Sequence, residues 1–297
     1  MEGKNSGSAD ISPTSTEIAL REQIPKPYEA FPSFDDFGGL DDEIDRLKDA
    51  SVLFSHPEVC HEYGVRRPNG ILLVGPSGVG KTELTRALAR ETESTLVEIK
   101  VSEVLSQWVG NANKSLSEIF KKAGGTEGPV ILFFDEFDGF FSNEAGGNKG
   151  SATSLITEMK QILSNLQQLY PNVLVVGATN STAGFDPALL RPGRFDVMLQ
   201  IGKPNEDARR EIFGKKISAH FELYRFSTSG TGDEINIDNL AGATEDMSGA
   251  DIDAILNSVR TAKALQRIRT GEHTRICQAD VLRAIRLHRE QRLNAAD

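Results

Sequence analysis

The chain has 297 residues, of which 38% are hydrophobic and 26% charged, a balance typical of a soluble globular protein with one large domain or two modest ones. Its formal net charge of −10 argues against nucleic acid as the main partner, because phosphate backbones are bound largely through Lys and Arg. Cys60 and Cys277 are too few for a disulfide framework and favour a reducing, cytoplasmic location. The sequence has no run of 18 apolar residues, so no membrane span is predicted.

The first part of the chain predicts a tail followed by an α/β domain. Residues 1–30 are rich in Ser, Gly, Pro and Glu, which is typical of a flexible tail but also suits a docking segment. Over residues 31–203, short runs that are apolar on both faces alternate with amphipathic helices, and this pattern predicts a parallel sheet flanked by helices. The strand runs are ILLV (71–74), LVEI (96–99), VILFF (130–134) and VLVV (173–176).

A second, smaller domain is predicted over residues 204–297. The strand pattern fades after residue 203, and residues 240–294 have helical periodicity. The polar stretch FSTSGTGDE (226–234) predicts a surface loop. We therefore expect a small all-helical domain after the sheet.

The segment GPSGVGKT, residues 75–82, fits the G-x-x-x-x-G-K-[ST] pattern of a phosphate-binding loop and lies between a predicted strand and a predicted helix. Its glycines let backbone N–H groups turn towards phosphate oxygens, and the helix N-terminus adds a favourable dipole. We expect Lys81 to contact the β- and γ-phosphates and the Thr82 hydroxyl to bind Mg²⁺. The nucleotide-binding residues predicted from this loop are Gly75, Pro76, Ser77, Gly78, Val79, Gly80, Lys81 and Thr82.

Two acidic residues follow the apolar strand in VILFFDEFD (130–138). Asp135 is suited to hold Mg²⁺ through water, and Glu136 is suited to polarise a water for in-line attack on the γ-phosphate. An Asp-Glu pair after a strand is often a solvated turn, but its pairing with an upstream phosphate loop favours the catalytic interpretation. Because switch-type GTPases place their water-orienting residue elsewhere, the pair favours a motor-type ATPase.

Two later segments complete the predicted site. Asn180 follows the run VLVVGAT, and its amide would hold the attacking water or sense the γ-phosphate. Arg191 and Arg194 lie in an R-P-G-R turn within FDPALLRPGRFD (185–196). A guanidinium suits the charge of a phosphoryl-transfer transition state, although both could be ordinary surface arginines. The tight Pro-Gly turn, which holds both on one edge, favours the catalytic interpretation.

Together these residues resemble the AAA ATPase family, and the resemblance extends from FDDFGGLDDEIDRLK (34–48) to about residue 287. The FGGL segment resembles the family's segment beside adenine, which implies nucleotide contacts from Asp36 and Gly38. The segment MSGADI (247–252) resembles the nucleotide-facing turn of the family's helical lid, which implies that Gly249 and Ala250 lie near the base.

The resemblance also implies an architecture and an assembly. The family fold is a P-loop parallel five-stranded sheet flanked by helices and followed by a small helical lid. Family members form homo-oligomeric rings, usually hexamers, that hydrolyse ATP with Mg²⁺. Arg191 and Arg194 would then act in trans on the neighbouring subunit's site, so an isolated subunit should be slow, since an arginine finger is worth ~10³ or more in rate.

The single tryptophan of the chain, Trp108, lies in SQWVGNANK (106–114), and without further context a core position is an alternative. Family members that thread polypeptides carry an aromatic–apolar–glycine triplet on a loop facing the ring's pore. The triplet Trp108-Val109-Gly110 resembles it, in the form found in the katanin, spastin and ESCRT-disassembly branch and in some archaeal relatives. A second pore loop is expected at FFSNEAGGNKGS (140–151).

Two positions depart from the family pattern. Met159-Lys160-Gln161 stands where the family often has Met-Asp-Gly in the stretch that senses the neighbouring subunit, which implies different signalling between subunits. Lys216 stands where the lid helix often carries a histidine facing the nucleotide, so that contact is not implied here.

Residues and resemblance together predict an ATP-driven remodeller with a single ATPase module, which pulls protein substrates through a pore or dismantles protein complexes. The alternative is an ATP-dependent assembly factor or switch that does not thread polypeptides. A nucleic-acid motor is disfavoured by the net charge of −10 and by Trp108.

Overall fold

The structure is a computed structural model that describes residues 28–106, 112–142, 149–224 and 235–294. Three predictions lie outside these residues: most of the N-terminal tail, the triplet Trp108-Val109-Gly110 and the loop 226–234. They stay predictions.

Five parallel strands form one sheet. The strands are β1 (Gly70–Val74), β2 (Thr95–Lys100), β3 (Val130–Asp135), β4 (Val173–Thr179) and β5 (Phe195–Gln200). Their order across the sheet is β2-β3-β4-β1-β5, and every neighbouring pair is parallel. The predicted α/β fold with a five-stranded parallel sheet is confirmed.

The two edge strands differ from the apolar runs that predict the inner ones. β2 is only half-buried, because it has a neighbour on one side alone. β5 was not among the predicted strand runs, since its side chains alternate: Phe195 and Leu199 are buried, whereas Asp196 and Met198 are exposed. Such a period of two is typical of a strand with one solvated face, and it is the signal that could have identified β5.

Helices cover both faces of the sheet. On one face lie α1 (Asp41–Ser55), α2 (Pro57–Tyr63) and α3 (Lys81–Glu91). On the other lie α4 (Val101–Ser106), α5 (Ala112–Gly124), α6 (Gly139–Ser142), α7 (Lys149–Ser164) and α8 (Leu166–Leu169). Short 3₁₀ helices occur at Tyr28–Ala30, Phe34–Asp36, Pro187–Leu190 and Phe221–Leu223. Because strand side chains alternate, each face of the sheet contributes to its own hydrophobic cluster.

The second pore loop expected at residues 140–151 is wrong at both ends, because residues 140–142 lie in α6 and residues 149–151 lie in α7. Phe140 and Phe141 are buried in the core of the sheet domain, within α6. The Phe140 ring lies 5.2 Å from the ring of Phe137, and the Phe141 ring stacks on Phe185 at 4.3 Å. Residues 143–148 of the predicted second pore loop lie outside the described residues.

The C-terminal region is helical, as predicted. It contains α9 (Glu206–Ser218), α10 (Ile237–Ala243), α11 (Gly249–Thr270) and α12 (Gln278–Asn294). These helices enclose a third hydrophobic cluster, with Phe213, Leu240 and Ile255 among its members. The domain boundary at residues 203 and 204 itself stays a prediction. Within the described segments, we find no helix long and apolar enough to cross a membrane.

Candidate functional site

The predicted phosphate loop connects β1 to α3 at the carboxyl edge of the sheet. Gly78 and Gly80 have φ angles of +80° and +99°, in the left-handed region that favours glycine. Since α3 begins at Lys81, the loop leads directly into a helix N-terminus, whose partial positive charge favours anions. Gly75 is required for packing, because a Cβ there would lie 1.9 Å from the carbonyl oxygen of Ile201.

Lys81 is held among oxygen atoms at the base of this loop. Its side chain is buried, with 9% of the residue exposed. The ammonium donates to the carbonyl oxygens of Gly75 at 2.5 Å and Pro76 at 2.9 Å, and to Asn180 Oδ1 at 3.1 Å. Burial lowers the pKa of Lys81, while the nearby carboxylates of Asp135 and Asp138 oppose that shift. A phosphate oxygen would bind this ammonium in exchange for one of its three acceptors.

The two acidic residues lie beside the phosphate loop. Asp135 ends β3, and its Oδ1 accepts a hydrogen bond from the backbone N–H of Glu136 at 2.9 Å. Glu136 has a φ of +53°, which is uncommon for a residue other than glycine. The next residue, Phe137, donates its N–H to Ala178 O at 2.8 Å and so anchors the turn to β4. Because this hydrogen bond anchors the turn, the strained backbone at Glu136 is held in one conformation, which sets the direction in which Glu136 leaves the sheet.

The lid contacts the phosphate loop directly. Ser248 caps the N-terminus of α11, and its Oγ accepts a hydrogen bond from Asp251 N–H. Gly249 and Ala250 follow this cap and line the cavity, and the N–H of Ala250 donates to Gly78 O at 3.0 Å. The lid turn predicted to face the nucleotide therefore lies against the phosphate loop.

The FGGL segment is enclosed between the cavity and lid helix α9. Asp36 and Gly38 line the cavity. The N–H of Gly39 donates to Glu211 Oε2 at 2.9 Å, and a Cβ on Gly39 would lie 2.0 Å from the Cβ of Ala208. The second glycine of this segment is thus needed for close approach of the lid.

These segments surround a cavity of about 550 Å³, within the range typical of small-molecule sites. The predicted residues that line it are Asp36, Gly38, Ser77, Gly78, Val79, Gly80, Lys81, Thr82, Asp135, Glu136, Asn180, Gly249 and Ala250. Gly75 and Pro76 lie behind the lining and contribute the carbonyl oxygens that hold Lys81. A glycine-rich loop that leads into a helix N-terminus, a buried ammonium and adjacent oxygen donors fit a nucleotide triphosphate with its divalent cation.

Sequence reasoning missed several residues of the lining and left the contact of another, Lys216, unassigned. Lys216 lines the cavity and pairs with the missed Asp253, with Nζ and Oδ1 2.8 Å apart. Phe37 and Ile212 add apolar surface to the same cavity. Phe37 could have been found, because it lies inside the recognised FGGL region. The partner of Lys216 could not, since it lies on a different helix.

The two predicted arginines lie outside this cavity. Arg191 is exposed to solvent. Arg194 is half-buried; its Nε donates to Ser164 Oγ at 2.9 Å and its Nη1 to Ala188 O at 2.5 Å. The structure thus brings the predicted phosphate, lid and acidic residues to one cavity and leaves both arginines away from it.

The model of the ATPase family associated with various cellular activities (AAA) matches residues 71–203. The chain is 35% identical over 245 residues to a cell division cycle protein 48 homolog of Archaeoglobus fulgidus, which covers 80% of this chain and 31% of that protein. It is 36% identical over 204 residues to an "AAA ATPase forming ring-shaped complexes" of Corynebacterium glutamicum, or 64% of this chain and 38% of that protein.

A third relative is a proteasome-activating nucleotidase of Methanothermobacter thermautotrophicus. It is 33% identical over 258 residues, which cover 85% of this chain and 59% of that protein. The chain therefore spans less than two thirds of the length of each of these relatives. The matched region contains both the phosphate loop and the Asp135–Glu136 pair that the structure brings to one cavity, and residues 71–203 of this chain therefore form a domain of the AAA ATPase family.

Proposed function

We propose that this protein hydrolyses ATP to ADP and phosphate and uses the energy, as a hexameric ring, to unfold proteins or to dismantle protein complexes. The observation that carries the ATPase proposal is that Lys81, Glu136 and Asn180 line the same cavity. The ring and the protein substrates are supported by the relatives, one of which is named for ring-shaped complexes and another for proteasome activation.

The cavity offers a separate surface for each part of ATP. Phosphate oxygens would bind the loop N–H groups and Lys81, while the apolar surfaces of Phe37 and Ile212 suit the base. The Thr82 hydroxyl and the Asp135 carboxylate are oxygen donors of the kind Mg²⁺ prefers. Bound there, Mg²⁺ would neutralise charge that develops on the phosphates.

Glu136, Lys81 and Asn180 have separate roles in the reaction. The Glu136 carboxylate takes a proton from the attacking water, whose oxygen bonds to the γ-phosphorus as the bond to the ADP oxygen breaks. Lys81 stabilises the negative charge of the transferred group, and the amide of Asn180 orients the water. Asn180 is already within hydrogen-bonding distance of Lys81, so binding of phosphate and placement of the amide are linked.

The substitution Glu136→Gln tests the ATPase assignment. It keeps the side-chain shape but removes the base, so turnover should fall by roughly 10²–10⁴ while ATP still binds. Phosphate release and titration with a fluorescent ATP analogue measure the two properties. Glu93→Gln is a matched control, because Glu93 also has a positive φ, +48°, and does not line the cavity. Rapid hydrolysis by Glu136→Gln would rule out the assignment of the base.

Threading is tested through the predicted pore triplet. Trp108→Ala should retain ATP hydrolysis and lose ATP-dependent unfolding of a tagged reporter protein, because an aromatic side chain can grip a chain of any sequence through apolar contact. If unfolding survives this substitution, the protein acts without gripping at Trp108, as an assembly factor or switch would. Sedimentation of Glu136→Gln in ATP measures the size of the assembly. The cytoplasmic location stays a prediction.

A further inference from the structure

The turn that carries the two arginines is held on several sides. It runs from Arg191 to Arg194, between the 3₁₀ helix Pro187–Leu190 and β5, and Gly193 within it has a φ of +87°. Neither arginine lines the nucleotide cavity of its own chain. Whatever this turn contributes to catalysis must therefore act at some other site.

Arg194 makes two side-chain hydrogen bonds within its own chain. Its two hydrogen bonds run to Ser164 Oγ, at the end of α7, and to Ala188 O in the 3₁₀ helix. The Ser164 hydroxyl donates in turn to Lys160 O at 2.7 Å, which orients the oxygen that Arg194 uses. The guanidinium thus ties the turn to α7, and these two bonds fix the direction in which it points.

Asn69, immediately before β1, holds the other side of the turn. It is buried, with 6% of the residue exposed, and its Nδ2 donates to Gly193 O at 2.9 Å and to Leu163 O at 2.8 Å. Its backbone N–H donates to Asp196 Oδ2 at 2.8 Å, and Asp196 is the second residue of β5. Within the described residues its Oδ1 is buried without a hydrogen-bond partner. An apolar side chain at this position would not leave a buried oxygen without a hydrogen bond. We therefore attribute the presence of an amide here to the hydrogen bonds by which it joins the turn to α7.

Lys160 anchors the start of the turn. Its Nζ lies 2.7 Å from Asp186 Oδ2, and the other carboxylate oxygen of Asp186 caps the 3₁₀ helix by accepting from Ala188 N–H at 2.8 Å. The hydrogen bond from Lys160, followed by that from Ala188, lowers the pKa of Asp186. The lysine that departs from the family's Met-Asp-Gly pattern is thus bonded to the segment that carries the arginines.

Arg191 contrasts with Arg194. Its side chain is exposed and, in the part of the chain that the structure describes, makes no hydrogen bond or ion pair. It lies one residue beyond the 3₁₀ helix, in extended conformation with φ −83° and ψ 150°. Within the described residues, Arg191 is therefore the guanidinium whose direction is not fixed by bonds to its own chain.

We propose that Asn69, Lys160, Ser164 and Arg194 form a bracket that positions the turn, so that Arg191 alone reaches the nucleotide bound to a neighbouring subunit. This inference rests on the proposed ATPase ring and changes the expectation that both arginines act in trans. Arg194 is then a positioning residue. Because Lys160 and Ser164 belong to α7, a movement of this helix would also move Arg191, which contacts the neighbouring subunit's nucleotide.

Ser164→Ala is the mildest test, because it removes the hydroxyl that Arg194 binds and leaves both arginines in place. We expect kcat for ATP to fall about tenfold or more, since small misplacement of a catalytic group can cost ~10²-fold. The affinity for a fluorescent ATP analogue should stay unchanged, because the bracket lies away from the chain's own cavity. Ser164→Thr, which keeps a hydroxyl, should recover most of the lost turnover. Ser258→Ala is the matched control, since the Ser258 hydroxyl donates only to Ile255 O among the described residues.

Mixing subunits separates positioning from a local structural defect. Ser164→Ala subunits have intact phosphate loops, and Lys81→Ala subunits have intact brackets. Mixed rings should therefore regain turnover at interfaces where the two meet. Failure to recover turnover at any ratio would overturn the proposal that the bracket serves the neighbour.

A double-mutant cycle distinguishes the roles of the two arginines. If Arg194 acts through Arg191, then Arg194→Ala and Ser164→Ala should cause no further loss of kcat in an Arg191→Ala background. A full additional loss from Arg194→Ala would show that Arg194 contacts the phosphates itself and would overturn the proposal. So would unchanged or faster turnover in Ser164→Ala. By contrast, a wild-type ring that does not hydrolyse ATP would refute the proposed function instead.

Discussion

The packing of lid helix α9 on the FGGL segment can be tested with one added methyl group. In Gly39→Ala, the new Cβ would lie 2.0 Å from the Cβ of Ala208 and 2.6 Å from its Cα, whereas carbon atoms pack best at about 3.5–4.0 Å. The φ of +68° adds a backbone cost of roughly 1–2 kcal/mol for alanine. Gly64 provides the control, because its φ is +66° and nothing lies within 4 Å of the added Cβ.

The expected magnitudes follow from this difference. Gly64→Ala carries the backbone cost and should lower the free energy of unfolding by roughly 1–2 kcal/mol. Gly39→Ala adds an overpacking cost of about 1–3 kcal/mol, for a total of about 2–5 kcal/mol. Because Asp36 and Gly38 line the cavity, Gly39→Ala should also weaken ATP binding, and Gly64→Ala should not. Urea unfolding and titration with a fluorescent ATP analogue measure both effects.

A second substitution tests the contact with Ala208 directly. Ala208→Gly removes the methyl group that the new Cβ would strike, at a helix cost of about 1 kcal/mol. The double variant Gly39→Ala/Ala208→Gly should therefore be no less stable than Gly39→Ala and should regain part of the lost affinity for ATP, because the Cα of residue 208 still lies 2.6 Å from the new Cβ. Equal losses of stability in Gly39→Ala and Gly64→Ala, with unchanged nucleotide binding in both, would show that the lid does not press on this segment.

Two further predictions concern charged groups. Lys216→Ala leaves the Asp253 carboxylate unpaired beside the cavity and should weaken ATP binding, whereas Asp253→Ala releases the Lys216 ammonium and should strengthen ATP binding. Each change should be up to roughly tenfold in affinity, or about 1.4 kcal/mol. Isothermal titration measures both affinities, and shifts of the same sign would contradict these electrostatic roles. Burial raises the pKa of Glu158, although a backbone hydrogen bond from Ser117 opposes the shift. The folded state therefore holds this proton more tightly, and the free energy of unfolding declines as pH rises from the ordinary glutamate value through the raised pKa. Glu158→Gln should remove this decline in urea titrations across that pH window, so a variant that keeps the wild-type pH profile would contradict the assignment.

Local features made the phosphate side of the site predictable. The eight residues from Gly75 to Thr82 define the loop geometry by their spacing, and the buried strand before Asp135 fixes where its carboxylate lies. Both follow from chain-local rules, because a parallel strand and the helix after it place the intervening loop at one edge of the sheet.

Contacts between distant parts of the chain could not be predicted in the same way. The need for glycine at position 39 comes from Ala208, which is far along the chain, and one of the two hydrogen bonds that Arg194 donates goes to Ser164, at the end of a helix 30 residues earlier. The pairing of Lys216 with Asp253 likewise depends on how two lid helices pack. A sequence pattern identifies that an arginine turn exists, but which guanidinium is engaged depends on tertiary packing.

The inner strand β1 connects two features at its opposite ends. Its five residues are all buried between β4 and β5, and at about 3.3 Å per residue they span about 17 Å. The phosphate loop begins at the carboxyl end, and Asn69, which holds the arginine turn, stands at the amino end. Hydrogen bonds to neighbours on both sides stiffen this strand, and its register with β5 shifts at the step from Gly70 to Ile71, next to Asn69. In the proposed ring, a tilt of the sheet at one nucleotide would therefore reach the arginine turn through this step.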